Sequence, residues 1–404
     1  MATVRPFRAL RPPASIAGRV ASPPYDVVST AEARQLAAGN PDSFLRVSRP
    51  EIDLPLDTDE HADAVYAQGA DNLAELRKRG VLVQDPEPRL YVYAQRMGRH
   101  RQMGLVACVS AEEYDRDVIR KHEKTRADKE EDRVRHIDTL GAHDEPVFLT
   151  YRAVPEIDAA VAEVTRGAPD VDLRTQDAVE HRLWVVPPAV GERIEALFAG
   201  VPVLYVADGH HRSAAASRVH ARRRGQPGEH GLFLAVVFPH DQMQILAYNR
   251  LVRDPKGRSP EELLAALREA LEIHPAHDPR PDHPLAFGLY LGGRWLHAHA
   301  RQGTFHEVDP VASLDVSILQ DQVLEPIFGV ADPRTSKDVD FVGGIRGPEE
   351  LERRVKEEGW SMGIHLFATR IEQLLAVSDA GKLMPPKSTW FEPKLRSGLF
   401  VHPF

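Results

Sequence analysis

Apolar runs of strand length alternate along the chain with amphipathic segments of helix length. Runs at 90–96 and 101–109 flank a turn at Gly98 and predict a hairpin. Later runs of strand composition lie at 146–153 and 181–188, and two longer segments predict further hairpins at 231–252 and 285–300. The second of these hairpins turns at Gly292-Gly293.

Other segments repeat their apolar positions at helical spacing and predict helices at 30–39, 58–79, 191–200 and 259–273. Ser259 and Glu262 form a capping-box pair at the start of the last of these. Helices and strands that follow one another in this way predict a mixed α/β fold with α+β character. We expect a domain over 1–252 that contains a phosphate-binding core. We also expect an α/β domain over 253–404 whose final segment returns to that core.

The stretch from 201 to 224 changes its pattern in the middle. Residues 201–207 predict a buried strand, and the small and basic residues from Ser213 onward predict a helix that ends before Gly225. The turn between them is Asp208, Gly209, His210, His211 and Arg212. Helix N-termini bind anions, glycine admits a ligand close to the backbone, and arginine suits phosphate oxygens. The alternative is an ordinary Asp-Gly turn whose histidines face water.

The most charged part of the chain lies at 119–147. If it is helical, a single stripe of basic residues recurs at spacings of four and three: His122, Arg126, Lys129, Arg133 and His136. Glu123 lies on the neighbouring stripe. One interpretation is a surface that binds polyphosphate and faces the 208–212 turn; the other is a solvated helix held by pairs of opposite charge.

Two proline-stiffened loops present polar residues. Pro23-Pro24 precedes Tyr25 and Asp26, and Pro385-Pro386 precedes Lys387, Ser388 and Thr389. Each loop could contact a ligand or serve as a structural clasp, and Trp390 with Phe391 would anchor the second one.

The amino-acid composition argues against several classes of function. The 404 residues carry a net charge of −9, so a broad nucleic-acid surface is not indicated. The one cysteine, Cys108, excludes an intramolecular disulfide and an all-cysteine metal site, and its apolar surroundings predict a buried strand position. We expect no membrane span and no signal segment, and therefore a cytoplasmic protein with a small-molecule substrate.

Five separated motifs together resemble one bacterial and archaeal family. They are ASPPYDVVS, HEKTRADKEEDR, YVADGHHRSAAA, YNRLV and MPPKSTWFEPKLRSGL. The family is the one known as domain of unknown function 1015. Its D-G-H-H-R motif looks like the phosphate-binding turn of the ParB/sulfiredoxin superfamily, which includes free-serine kinases. The resemblance implies a ParB/sulfiredoxin-like core with N- and C-terminal elaborations, and it places Asp208 to Arg212 at a phosphate donor.

Three departures narrow what the resemblance implies. Sulfiredoxins need a cysteine in this turn, where this chain has histidine, so reductase chemistry is not expected. The sequence shows no helix-turn-helix and its charge is acidic, which argues against a ParB-like partition role. The motif that usually precedes the phosphate turn is not recognisable, which leaves the general base unassigned.

The leading hypothesis is a small-molecule kinase that transfers a phosphoryl group from pyrophosphate or a nucleotide to a hydroxyl, for which the resemblance suggests free L-serine. Phosphate contacts are predicted for Gly209, Arg212, Ser213, Arg126, Lys129, Arg133 and Lys387. His210 and His211 would be electrostatic clamps, Asp208 would hold Mg²⁺, and Glu123 or Asp26 would be the base. The alternatives are a non-catalytic nucleotide-binding regulator and a metal-dependent hydrolase that uses Asp208, His210 and His211.

Overall fold

The structure is a computed structural model that describes residues 1–276 and 278–404. Its contacts divide the chain into two units. The first unit comprises Met1–Lys121, Thr125–Met243 and Pro393–Phe404, and the second comprises His122–Lys124 and Gln244–Glu392. The domain boundary at 252 stays a prediction. In the described residues, no helix combines the length and apolar character needed to cross a membrane.

Helices of the first unit are α1 Ala17–Val20, α2 Thr30–Ala37, α3 Leu45–Ser48, α4 Asp63–Lys78, α5 Ala111–Asp115, α6 Ala127–Leu140, α7 Pro155–Val164, α8 Pro188–Phe198 and α9 His210–Arg222. Its strands are β1 Val4–Arg5, β2 Leu10–Arg11, β3 Val83–Gln84, β4 Tyr91–Met97, β5 His100–Ser110, β6 Ile119–Arg120, β7 Ala142–His143, β8 Val147–Tyr151, β9 Val171–Arg174, β10 Glu180–Val185, β11 Leu204–Asp208 and β12 Leu232–Pro239. Short 3₁₀ turns lie at Tyr25–Val27, Pro50–Asp53 and His240–Gln242, and a last strand at His402–Pro403.

One large mixed sheet organises the first unit. Its strands follow the order β6-β11-β8-β12-β5-β4-β10-β9, and β1 pairs with β5 beside this path. The pairs β11–β6 and β12–β8 are parallel, while β4–β5 is the predicted antiparallel hairpin and turns at Gly98. Cys108 lies buried in β5, as predicted. The central strands are apolar on both faces because helices and loops cover the sheet.

The predicted hairpin at 231–252 is wrong. β12 pairs with β5 and β8 inside the first unit and ends at Pro239, whose nitrogen has no hydrogen for a further ladder bond. The residues after it, Gln244–Leu246, pair with Trp390–Glu392 in the second unit. A strand that is apolar on both faces gives no local indication of its partner strand. The local sequence therefore does not show that β12 pairs with the distant strands β5 and β8.

Helices of the second unit are α10 Pro260–Ala270, α11 Asp315–Leu319, α12 Glu325–Phe328, α13 Gly347–Glu358 and α14 Ile371–Asp379, with a π-helical turn at Gln320–Leu324 and a 3₁₀ turn at Gly344–Arg346. Its strands are β13 Gln244–Leu246, β14 Tyr248–Val252, β15 Leu271–Pro275, β16 Ala286–Leu291, β17 Arg294–Ala300, β18 Val339–Gly343, β19 Met362–Leu366 and β20 Trp390–Glu392. An antiparallel sheet orders six of these as β15-β17-β16-β19-β14-β18. The predicted hairpin at Gly292-Gly293 and the capping box of Ser259 and Glu262 are confirmed.

Candidate active site

The predicted strand, turn and helix around Asp208 are present, but the helix begins earlier than predicted. Asp208 ends β11, Gly209 adopts a left-handed conformation with φ 94°, and α9 starts at His210 rather than at Ser213. A single residue, Gly209, separates β11 from α9, and the Ser213 amide donates to its carbonyl oxygen at 2.9 Å. The amides of His210, His211 and Arg212 therefore form the first turn of α9, where a helix attracts anions.

Gly209 has two reasons to be glycine. Its φ is one that L side chains rarely adopt, and a Cβ here would lie 3.1 Å from Arg212 Nε. The Arg212 guanidinium packs directly against the bare backbone of the turn.

Arg212 is directed into the unit and is buried. Its Nη1 donates to the Pro146 carbonyl oxygen at 2.6 Å, and its guanidinium lies 3.8 Å from both Asp26 Oδ2 and Glu145 Oε2. In the described residues, its buried Nε finds no acceptor. Arg212 is thus a buried cation with one unused donor and two carboxylates within 4 Å.

Glu145 is a site residue that the sequence analysis missed. It is 5% exposed; its Oε1 accepts from the Tyr25 amide at 3.0 Å and from Ser397 Oγ at 2.7 Å. Its buried Oε2 has no hydrogen-bond partner among the described residues. Burial, more than any other effect, raises the pKa of Glu145 to about 7. The only signal in the sequence was an acid directly before Pro146 and an apolar strand.

Asp208 is paired with a residue from the C-terminal segment. Lys394 Nζ lies 2.9 Å from Asp208 Oδ2, and the Gly209 amide donates to Oδ1 at 2.9 Å. Burial alone would raise the pKa of Asp208, but the charges of Lys394 and Arg212 hold it well below its usual range. An ammonium and an amide thus engage the two oxygens of this carboxylate, and its predicted role as a Mg²⁺ ligand stays a prediction.

Asp26 presents the more accessible carboxylate. Pro24 leads into the 3₁₀ turn Tyr25–Val27, and the Asp26 side chain is 37% exposed while it lies beside Arg212. Tyr25 is buried under Arg133, whose guanidinium carbon lies 3.9 Å from the ring centroid.

The predicted basic stripe is only partly helical. The helix α6 begins at Ala127 with Arg126 as its N-cap, so His122 and Glu123 precede it. Both of these residues belong to the second unit. Reading the whole segment as one helix was therefore wrong. Residues 121–126 form no helix, and only the part from Ala127 to Leu140 repeats at helical spacing.

Within α6 the stripe residues have individual partners. Arg133 pairs with Asp132 at 2.8 Å, and His136 Nε2 lies 3.0 Å from Asp144 Oδ2. Lys129 is exposed and lines, with Arg133 and Tyr25, a cavity of about 30 Å³. The exposed Arg126 side chain pairs with Asp128.

The remaining predicted residues are distributed as follows. The Arg126 amide donates to His211 Nε2 at 3.1 Å, which joins the N-termini of α6 and α9. Burial, with opposition from Asp208, lowers the pKa of His210 to about 4, so this ring is neutral at pH 7. Ser213 Oγ donates to the Gly209 carbonyl at 3.2 Å. Lys387 belongs to the second unit, and its phosphate role, like the base role of Glu123, stays a prediction.

A family model described as "Protein of unknown function (DUF1015)" matches residues 4–317. The chain belongs to the DUF1015 family. This DUF1015 chain matches a solved free serine kinase in complex with AMP at 13% identity and TM-score 0.39, over 73% of this chain and 92% of that one. It matches SbnI with a C-terminal truncation from Staphylococcus aureus at 14% and 0.38, over 74% and 87%. A conserved hypothetical protein from Pyrococcus furiosus matches at 13% and 0.36, over 73% and 95%. No curated protein matches its sequence.

Proposed function

We propose that this chain is a small-molecule phosphotransferase that moves a phosphoryl group from a polyphosphate, either pyrophosphate or a nucleotide, to a hydroxyl, with free L-serine as the first acceptor to test. The observation that carries the proposal lies in the first unit. The half-exposed Asp26 carboxylate lies 3.8 Å from the guanidinium of Arg212, beside the first turn of α9. We call the α9 turn together with Asp26, Glu145 and Lys394 the α9 site.

Donor phosphates would bind at the first turn of α9. The amides of His210 to Arg212 point out of the helix N-terminus, and Gly209 offers no side chain that would keep a ligand away from the backbone. Lys394 supplies positive charge next to this turn. Phosphoryl transfer depends mainly on positioning of the reactants and on stabilisation of charge. The backbone amides of such a turn supply both from a preorganised arrangement.

Asp26 is the proposed general base. A base must be ionised and reachable by the acceptor hydroxyl. Asp26 is more exposed than Glu145. The raised pKa of Glu145 keeps most of this group protonated below neutral pH. Asp208 would keep Lys394 in place beside the turn.

The test is an assay of the full chain with L-serine and, separately, pyrophosphate, ADP or ATP, with and without MgCl₂. Phosphoserine detected by mass spectrometry supports the proposal. A chain that binds a polyphosphate in calorimetry but phosphorylates no hydroxyl compound would instead be a non-catalytic nucleotide-binding protein. If the chain neither binds a polyphosphate nor transfers a phosphoryl group, the α9 site is not a phosphate-binding site.

A further inference from the structure

The second unit contains a cavity of about 260 Å³ that the proposed function does not use. All of its lining residues belong to the second unit, and none of them belongs to the α9 site. The polar side chains of the lining are Arg250, Gln320, Asp332 and Arg334. Pockets for drug-sized ligands span roughly 300–1,000 Å³, so this cavity suits a smaller molecule.

Arg250 is a buried cation without a carboxylate. It is 3% exposed. Its guanidinium donates to four carbonyl oxygens: Nη1 to those of Tyr248 at 2.5 Å and Asn249 at 3.5 Å, and Nη2 to those of Lys387 at 3.0 Å and Pro386 at 3.3 Å. Its guanidinium carbon lies 4.5 Å from the ring centroid of Phe341. Burial lowers the pKa of Arg250 to about 9, and no acidic side chain opposes this shift among the described residues.

The other buried arginines show how unusual this is. Arg133 pairs with Asp132, Arg212 lies beside Asp26 and Glu145, and Arg396 pairs with Asp177. A buried charge is costly unless it is paired. Carbonyl dipoles and one aromatic ring offset part of that cost for Arg250, and an anion in the cavity would supply the missing charge.

Within the part of the chain that the structure describes, Gln320 has a hydrogen-bond acceptor without a donor in the same cavity. Its Nε2 donates to the Val330 carbonyl at 2.7 Å, which fixes the orientation of the amide, and its buried Oε1 has no donor among the described residues. It begins the π-helical turn Gln320–Leu324, just before Pro326. Proline lacks the N–H that a regular α-helix would use, and π turns in helices often occur at functional sites.

A ligand that carries both an anionic group and a hydrogen-bond donor would pair with the Arg250 guanidinium and with Gln320 Oε1. We propose that this cavity binds a small 2-hydroxy or 2-amino acid, whose carboxylate pairs with Arg250 and whose hydroxyl or ammonium group donates to Gln320 Oε1. Val316, Leu324 and Pro385 leave room for a short apolar side chain. Phosphate is less suitable, because the free group of Gln320 is an acceptor and the guanidinium of Arg334 is already paired with Asp332.

Calorimetry on the full chain, without a phosphoryl donor, tests this proposal. We expect L-lactate or L-alanine to bind, and propionate, which lacks the second donor, to bind at least about tenfold more weakly because Gln320 Oε1 would stay unpaired. No binding of either acid would overturn the proposal. Inorganic phosphate that binds more tightly than these acids and loses its binding in Arg250→Met would also overturn the proposal and would identify a phosphate site in this cavity instead.

Variants separate ligand binding from stability. Gln320→Leu removes the acceptor and should erase the preference for L-lactate or L-alanine over propionate. Arg250→Met should abolish binding of all carboxylates. Arg354→Met is the matched control, because Arg354 also lies over an aromatic ring, Trp360, but pairs with Asp340 and Glu358 and does not line the cavity.

Arg250 also holds backbone carbonyls, so its variant could fail to fold. Circular dichroism would show this, and Gln320→Leu then decides the outcome alone. An unchanged preference for L-lactate or L-alanine in folded Gln320→Leu would refute the proposed contact.

Discussion

Lys394 Nζ lies 2.9 Å from Asp208 Oδ2, so a lysine near the C-terminus of the chain is paired with the last residue of β11. The two residues are 186 positions apart in sequence. The pair ties the segment Pro393–Phe404 to the turn that begins α9, within the first unit.

Lys394→Met should destabilise the chain. It leaves the Asp208 carboxylate partly buried without its ammonium partner, and loss of a charge-assisted hydrogen bond costs roughly 1.5–3 kcal/mol. Urea unfolding at pH 7 measures the change. Lys382→Met is the control, because Lys382 pairs with Asp309 at an exposed position where such pairs contribute about 0–1 kcal/mol. Equal effects of the two substitutions would contradict the structural role assigned to Lys394.

Gly209→Ala should cost more than Gly225→Ala. Both glycines have positive φ, 94° and 83°, so both substitutions carry backbone strain of about 1–2 kcal/mol. Only at Gly209 would the new Cβ meet the Arg212 guanidinium, while the space around Gly225 is open. The difference between the two unfolding free energies therefore reports the displacement of Arg212. We expect Gly209→Ala, and not Gly225→Ala, to weaken pyrophosphate binding in calorimetry.

These positions show what the sequence can specify. The hairpin at β4 and β5 and the strand before Asp208 were predictable, because alternating or continuous apolar runs and a local turn carry the signal. The sequence pattern predicts the start of α9 three residues too late, because one left-handed glycine is enough to connect β11 to the helix.

Other features depend on contacts between distant parts of the chain. β12 pairs with β5 and β8, and no local pattern could name those partners. The role of Glu145 arises from burial and from partners at Tyr25 and Ser397, which lie 120 and 252 residues away in sequence. An acid in a charged segment gives no sign of such an environment before the chain is folded.

Glu145→Gln should change how stability depends on pH. A carboxyl whose pKa is higher in the folded chain stabilises the fold below its unfolded pKa of about 4.3. That contribution is lost as the pH rises through about 7, the value for Glu145. The amide cannot ionise, so the unfolding free energy of Glu145→Gln minus that of wild type should be larger, in the direction of a relatively more stable variant, at pH 8 than at pH 5. Parallel profiles for the two proteins would show that Glu145 is not the group that titrates.

Asp26→Asn should separate catalysis from binding. If Asp26 accepts the proton of the attacking hydroxyl, turnover should fall by about 10²–10⁴. The loss of a negative charge 3.8 Å from Arg212 should leave polyphosphate affinity unchanged or stronger. Steady-state kinetics with saturating donor, together with calorimetry, measure both quantities.

Asp172→Asn is the matched control for this substitution, because Asp172 is also a partly exposed aspartate near an arginine, Arg182, but lies on β9 at the edge of the large sheet. Its turnover should equal that of wild type. Glu123→Gln tests the other candidate base. If Glu123→Gln loses turnover while Asp26→Asn keeps it, the proton goes to Glu123, and Asp26 serves only as a neighbour of Arg212.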